Sequence, residues 1–187
     1  MSSNQFMDDY DIIKGCLQNN AAMQKMLYDK YSAKMYGIAL RYTHDQEEAK
    51  DILQDGFVKV FQNLGKFKGT GAFEGWLRRI FVNTAIEHYR KKNDTYEIKE
   101  AHEEGITDRD LTALDKLAAD DIVKMISELP NGYRTVFNLF AVEGYAHKEI
   151  AEMLKISEGT SKSQFARAKA WLQEKIKNHE KNKHGME

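Results

Sequence analysis

The chain has 187 residues and a formal net charge of −1, because 28 lysines and arginines nearly balance 29 aspartates and glutamates. This length predicts one domain or two small ones, and the charge balance excludes a uniformly basic nucleic-acid coat. No apolar run is long enough to cross a bilayer, and residues 1–20 contain no signal-peptide core, so we expect no membrane insertion. The single cysteine, Cys16, excludes an internal disulfide and a cysteine-cluster zinc site.

The near-zero total charge conceals three segments of different sign. Residues 1–93 carry a net charge of +3, residues 94–120 carry −6, and residues 121–187 carry +2. The middle segment has no aromatic residue after Tyr96, which is typical of an acidic linker between two bodies. A solvated acidic helix within one domain has the same composition, so the segment's charge leaves both interpretations open.

Helical spacing of apolar residues dominates both flanking segments, and Pro130 is the only proline. Before the acidic segment, this spacing predicts helices from about Ala21 to Tyr42, over residues 47–64, and from Phe73 to Arg90. After it, the spacing predicts helices over residues 119–129, 132–142, 147–154 and 158–178. We therefore predict an all-α fold in which two small helical domains, residues 1–93 and 121–187, are joined by an acidic linker at residues 94–120.

The second domain has the layout of a helix-turn-helix between Ala146 and Lys162. Ala151 supplies the small residue needed where two short helices cross, and Ser157 can cap the second helix. The exposed face of that helix offers donors for phosphates and purine edges: Lys162, Ser163, Gln164, Arg167 and Lys169. A net charge of +5 over residues 162–183 favours DNA. A helical hairpin with a solvated basic face has the same spacing.

Two neighbouring helices of the first domain carry opposite charges. Residues 43–55 hold five acidic residues and one basic residue, and residues 66–92 hold seven basic residues and two acidic residues. Aromatic residues alternate with those basic residues, and single-stranded nucleic acid binds to such a mixture of cations and flat rings. They are Phe67, Phe73, Trp76, Phe81 and Tyr89. We expect Trp76 and Phe81 to fill the core, whereas Phe67 and Phe73 flank a glycine-broken loop and are better candidates for a base. Asn83 can either read a base edge or bond a neighbouring helix.

Three stretches of the sequence resemble the extracytoplasmic-function sigma factors of the sigma-70 family. The run EAKDILQDGF at residues 48–57 is similar to the helix with which those factors bind RNA polymerase. The run FKG at 67–69, followed by FEGWLRRIFVNTA at 73–85, is similar to their promoter-melting segment. Residues 129–137 and the helix-turn-helix at 147–170 are similar to their second conserved domain. The stretches follow the family's order and are separated by a variable acidic segment.

The resemblance implies an alternative sigma factor that binds core RNA polymerase, directs it to promoters and assists their opening. The residues that it assigns to the clamp helices of the polymerase's largest subunit are Asp51, Gln54, Asp55 and Phe57. Those assigned to the displaced minus-ten strand are Lys68, Phe73, Arg79 and Asn83. Those assigned to the minus-thirty-five duplex are Lys162, Ser163, Gln164 and Arg167.

The resemblance also implies a cytoplasmic protein without a cofactor, whose second domain contacts the flap of the second-largest polymerase subunit. It allows an anti-sigma factor or an additional recruiting factor as a further partner. Three residues depart from the family pattern: Lys155 stands where glycine is common, Ser161 stands where an apolar residue is usual, and Gln164 stands where a second basic residue is frequent. We hypothesise that the second domain binds its DNA weakly and relies on another factor for placement.

Two other classes of protein explain less of the sequence. The six histidines have no metal-ligand spacing, and the loop at residues 65–71 lacks the Gly-Lys-Ser/Thr ending of a phosphate-binding loop, so we predict no enzyme. An ordinary helix-turn-helix regulator, whose N-terminal half senses a ligand or dimerises, explains residues 121–178. It leaves the acidic helix and residues 73–85 unexplained. Initiation with core polymerase distinguishes the two classes.

Overall fold

The computed structural model describes residues 8–93 and 119–184. Within these ranges the chain forms eight α-helices and no β-strand, which confirms the all-α prediction. The helices are α1 (Asp9–Leu17), α2 (Ala21–Leu40), α3 (Gln46–Asn63), α4 (Phe73–Asn93), α5 (Ala119–Ser127), α6 (Asn131–Phe137), α7 (His147–Leu154) and α8 (Glu158–His184). The predicted linker lies outside the described residues, apart from its last two positions, which begin α5.

The described residues form two compact units. The first contains the residues up to Leu40 together with Asp45–His88, and the second contains Arg41–His44 and the residues from Tyr89 onward. The first unit is therefore built from α1, α2, α3 and most of α4, and the second contains α5 to α8.

The core of the first unit is formed by the apolar stripes of its helices. In α3 the side chains of Ala49, Ile52 and Val60 are buried at the three- and four-residue spacing of one helix face. The helix begins where Asp45 Oδ1 accepts a hydrogen bond of 2.9 Å from the backbone N–H of Glu47, which satisfies one amide of the first turn. The predicted apolar periodicity of α3 thus corresponds to its buried face.

Helix α1, which the apolar spacing did not predict, is bound to α2 by a buried tyrosine. The Tyr31 hydroxyl lies 2.8 Å from Oδ1 and 2.7 Å from Oδ2 of Asp9, and Lys30 Nζ lies 2.7 Å from Oδ1. Burial acts to raise the pKa of the Asp9 carboxyl, but the hydrogen bonds from Lys30 and Tyr31 outweigh it, so the pKa is lowered. A polar contact, added to the apolar residues Ile12 and Cys16, therefore positions this helix.

The second unit has its own core between α5, α6 and α8. Its buried side chains are Met125, Leu129, Phe137, Ala168, Leu172 and Ile176. After α6 the chain makes one π-helical turn over Asn138–Val142 before it reaches α7. The turn between α7 and α8 is closed by buried Ile150 and Leu154, and α8 begins where Ser157 Oγ accepts from the backbone N–H of Thr160 at 2.9 Å. The predicted cap at Ser157 is confirmed.

Lys155, at the end of α7, has a left-handed backbone with φ 56° and ψ 42°. This conformation costs a residue with a Cβ about 1 kcal/mol or more, whereas glycine adopts it freely. We therefore expect Lys155→Gly to raise the free energy of unfolding by about 1 kcal/mol, measured by urea denaturation. Asn19→Gly is the matched control, because Asn19 has φ 58° but asparagine tolerates this region. An equal gain in both variants, or a loss in Lys155→Gly, would contradict the account.

Candidate nucleic-acid and protein interfaces

The outward face of α3 is acidic and open to solvent. Asp51, Gln54 and Asp55 are exposed, as the sequence predicted, and they follow one another at helical spacing. Val58 lies on the same side of the helix and is 48% exposed. No ion pair to Asp51 occurs in the part of the chain that the structure describes. This face therefore presents charge around a small apolar centre, which suits contact with a basic protein surface.

Asp55 has a partner that the sequence did not predict. Its Oδ2 lies 2.8 Å from Nε2 of His88, which reaches across from α4, and the two side chains are 54% and 20% exposed. The contact holds the carboxylate in one position on the acidic face. Helical spacing within α3 could not predict it, because the two residues are 33 positions apart.

Phe57 does not belong to this face, so its assignment to the polymerase interface is corrected. The side chain is only 4% exposed. Its ring centroid lies 4.6 Å from that of Tyr28 and 5.3 Å from that of Phe81. Phe57 follows Asp55 by two residues, which places it on the opposite side of the helix. Its packing supports the acidic face from beneath.

The exposed face of α4 and the loop before it carry basic and amide groups. Arg79 and Asn83 are exposed and lie one helical turn apart, and Lys68 is exposed in the loop. Gly69 and Gly71 have φ values of +70° and +90°, so the loop requires glycine at both positions. These three side chains are available to a strand of nucleic acid.

Phe73 is buried, so its assignment to the minus-ten strand is corrected as well. It is 5% exposed, and its ring contacts those of Tyr31 at 5.7 Å, Phe67 at 5.1 Å and Trp76 at 5.6 Å between centroids. Phe67 and Trp76 are half-buried. The expectation that Trp76 fills the core is therefore only partly met, whereas Phe81 is fully buried as expected. Phe73 supports the two rings that remain partly accessible.

A cleft of about 600 Å³ opens between this loop and α1 within the first unit. Lys68, Gly69 and Phe67 line one side of it, and Tyr10 and Lys14 of α1 line the other. Tyr10 is 70% exposed. Asp8 and Asp9 line the cleft as well. Its lysines and aromatic rings are groups that a nucleotide phosphate and an unstacked base can use.

The N-terminal part of α8 is the exposed helix of the helix-turn-helix. Lys162 is exposed and pairs with Glu158 at 2.7 Å. Ser163 is half-buried and donates to the Thr160 carbonyl at 3.0 Å, and Arg167 Nη1 lies 3.4 Å from the Tyr133 hydroxyl. The predicted spacing thus brings Lys162, Ser163 and Arg167 to the outer half of one helix.

The Gln164 side chain is half-buried, as those of Ser163 and Arg167 are, and its assignment to duplex DNA stays a prediction. Its Oε1 is buried and has no hydrogen-bond partner in the described part of the chain. The same oxygen would lie 3.4 Å from a Cβ built on Gly132 of α6. The amide oxygen of Gln164 therefore packs toward α6. A glutamine in place of a basic residue at this position then removes no cation from the exposed face.

Two family models match the chain, and between them they cover both helical units. Residues 27–95 match sigma-70 region 2, and residues 119–172 match sigma-70, region 4. The RNA polymerase sigma-H factor of Pseudomonas aeruginosa is 30% identical over 173 residues, 86% of this chain and 90% of that protein. The ECF RNA polymerase sigma factor SigW of Bacillus subtilis is 30% identical over 163 residues, 81% of this chain and 87% of that protein. The chain belongs to the ECF sigma factors of the sigma-70 family.

One solved structure of similar fold is CnrH in complex with the cytosolic domain of CnrY. The two sequences are 21% identical, and the match covers 91% of this chain and 97% of the CnrH chain, with a TM-score of 0.48.

Membership in the family confirms the resemblance drawn from the sequence and disfavours the plain helix-turn-helix regulator. The sigma factor is a transcription initiation factor, and region 2 contains most of α2 together with α3 and α4, while region 4 contains α5 to α7 and the first half of α8. Among the described residues, no helix is both long and apolar enough to cross a membrane.

Proposed function

We propose that this sigma factor uses three surfaces in initiation. The acidic face of α3 binds core RNA polymerase, α4 with its preceding loop holds the unpaired minus-ten strand, and α8 binds the minus-thirty-five duplex. The observation that carries the proposal is the division of one small unit into an acidic exposed helix and a basic exposed helix. An initiation factor needs both, because it has to hold a protein partner and a DNA strand at the same time.

The polymerase contact is proposed for Asp51, Gln54 and Asp55 against the clamp helices of the largest subunit. Exposure of all three side chains supports this role. Asp51 has no ion pair among the residues that the structure describes, and Asp55 brings a carboxylate already oriented by His88. Charge complementarity of this kind favours association rate and specificity.

The strand contact is proposed for Lys68, Arg79 and Asn83, with the accessible parts of the Phe67 and Trp76 rings as stacking surfaces. The cations neutralise backbone phosphates, and the rings offer flat faces to bases that have left the duplex. An unpaired base fits the cleft beside Lys68. Binding the open strand offsets the cost of opening it, because a ligand that prefers one state shifts the population toward that state.

The duplex contact is proposed for Lys162, Ser163 and Arg167 of α8, with the second unit also meeting the flap of the second-largest subunit. Contacts to phosphates position such a helix, and contacts to base edges select the sequence. In this proposal the factor itself breaks no covalent bond. It acts in the cytoplasm, where core polymerase meets promoters. An anti-sigma factor or an additional recruiting factor stays a prediction of the sequence resemblance.

Transcription in a purified system tests the proposal. The full chain is added to core RNA polymerase free of other sigma factors, with a supercoiled genomic library as template, and the 5′ ends of the transcripts are mapped. We expect discrete start sites that share two upstream elements and disappear when the chain is omitted. A chain that binds core polymerase but yields no discrete start would contradict the proposal, and a plain regulator would give no transcript without another sigma factor.

A further inference from the structure

Ser161 and His147 form a polar pair inside the helix-turn-helix. Ser161 is fully buried, and its Oγ lies 2.9 Å from Nδ1 of His147. In the sequence, Ser161 stands where the family pattern has an apolar residue. The structure shows instead a hydrogen bond that joins the first residue of α7 to the first turns of α8.

The His147 ring is held in one orientation by its surroundings. It stacks on Phe140 with a centroid distance of 4.3 Å and an interplanar angle of 12°, and Phe165 meets its edge at 5.8 Å. The Ser161 hydroxyl can donate to Nδ1, and that arrangement places the ring proton on Nε2. Nε2, at the far side of the ring from Ser161, is then a hydrogen-bond donor.

Both helices of the motif carry charged residues, and those whose charges act on this ring are Lys162 and Glu158 of α8. Helix α8 contributes Glu158, Lys162 and Lys169, α7 contributes Lys148 and Glu149, and the π-helical turn that carries Phe140 contributes no charged residue. Burial and the Lys162 ammonium lower the pKa of His147, while Glu158 opposes them. In the free protein the ring is therefore neutral near pH 7, and an anion placed beside it would favour the protonated form.

We propose that His147 and Lys162 bind the same backbone phosphate of the promoter duplex, and that Ser161 is the positioning residue that orients His147 for this contact. The inference rests on the proposed function, since it assumes that α8 binds duplex DNA. Lys162 lies in the exposed first turns of α8, and His147 begins the helix that packs before it, where helix-turn-helix proteins meet the DNA backbone. A phosphate near His147 raises its pKa, so duplex binding takes up a proton.

This proton uptake has a definite sign. The affinity for duplex is independent of pH above the pKa that His147 has in the complex, and it rises as the pH falls through that value toward the lower pKa of the free protein. A merely structural role predicts the opposite. Protonation of a histidine whose folded pKa is lowered destabilises the folded unit as the pH falls below about 6.5, and this would weaken binding in acid.

The test measures binding of holoenzyme to labelled promoter duplex between pH 6 and 8 and over a series of salt concentrations. We expect the wild-type affinity to rise about threefold to tenfold as the pH falls over this range. This rise is within the limit set by the uptake of one proton on binding. His147→Gln should lose the pH dependence and reduce the salt slope by about 1. Ser161→Val should lose most of the pH dependence, whereas Ser161→Thr, which keeps the hydroxyl, should retain it.

Two controls separate this inference from its premise. Ser127→Ala removes a hydroxyl that donates to the Lys124 carbonyl, and it should change neither the pH dependence nor the salt slope. Lys162→Ala should weaken binding at every pH. If Lys162→Ala weakens binding but His147→Gln keeps both wild-type slopes, the inference fails and the proposed duplex contact stands. If neither variant alters binding, the proposed duplex contact fails as well.

Discussion

Replacing Gly56 with alanine is expected to lower the free energy of unfolding of the first unit by about 2 kcal/mol, although alanine is the better helix former. A Cβ built on Gly56 would lie 2.3 Å from Cε1 and 2.6 Å from Cδ1 of Phe81. The Phe81 ring is fully buried and packs on Phe57 at 5.3 Å, so it has no open space to enter. Overpacking of this kind costs about 1–3 kcal/mol or more, and the gain in helix propensity is only about 1 kcal/mol.

Gly37→Ala is the matched control for this variant. Gly37 also lies inside a helix of the same unit, but a Cβ there would meet no atom within 4 Å. We expect it to stabilise the unit by about 1 kcal/mol, because only the propensity gain remains. Hydrogen exchange of the α2, α3 and α4 amides measures both effects separately from the second unit. Shifts of the same sign in the two variants would contradict the close packing of α3 on α4.

Reversing the charge of Asp51 or Asp55 to arginine is expected to weaken binding of core RNA polymerase at least tenfold. Each reversal replaces a favourable interaction with a repulsion across the interface, and like-charge contacts cost several kcal/mol there. The fold should be unaffected, since exposed charges contribute about 0–1 kcal/mol to stability. The measurement is the dissociation constant of a labelled factor from core polymerase, with circular dichroism as the check on folding.

Asp29→Arg provides the control with the same change of charge. Asp29 is exposed on α2 and pairs with Lys25 one turn away, so its reversal should leave polymerase binding unchanged. Phe57→Ala serves as the second comparison. It should lower the free energy of unfolding, because packing around the ring is lost. Equal losses for Asp51→Arg and Asp29→Arg would point to net charge alone, and normal binding by both Asp51→Arg and Asp55→Arg would refute the assignment.

Phe57 and Phe73 are close in sequence to exposed residues but are buried. Phe57 and Phe73 occur in motifs that include true surface residues, and helical spacing alone places each within one turn of the exposed face. Their burial depends on rings from other helices, Phe81 and Tyr28 for Phe57 and Tyr31 for Phe73. A periodic pattern tells which side of a helix is apolar, but it does not tell how far a neighbouring helix covers the border of that side.

The pairs His88–Asp55 and Ser161–His147 illustrate the same limit for polar groups. Each joins two helices through residues that are 33 and 14 positions apart, respectively. Sequence spacing predicts contacts at three and four residues within one helix, and nothing in composition or charge indicates which distant partner a side chain reaches. The signal that could have pointed to Ser161 was its departure from an apolar pattern next to a histidine that begins the preceding helix.

The sequence by itself determined the all-α fold, the helix-turn-helix, the family and the separation of acidic from basic helices. The fold, the helix-turn-helix and the separation of charge follow from short-range periodicity, capping and local charge, which act within a few residues. The family followed from the resemblance of three stretches of sequence to known motifs. Only the tertiary structure decided that Phe57 and Phe73 turn inward, that Gly56 is needed for close packing, and that Ser161 supports His147. Those outcomes depend on which helices pack together and how closely, because burial and hydrogen bonding between helices arise from contacts distant in sequence.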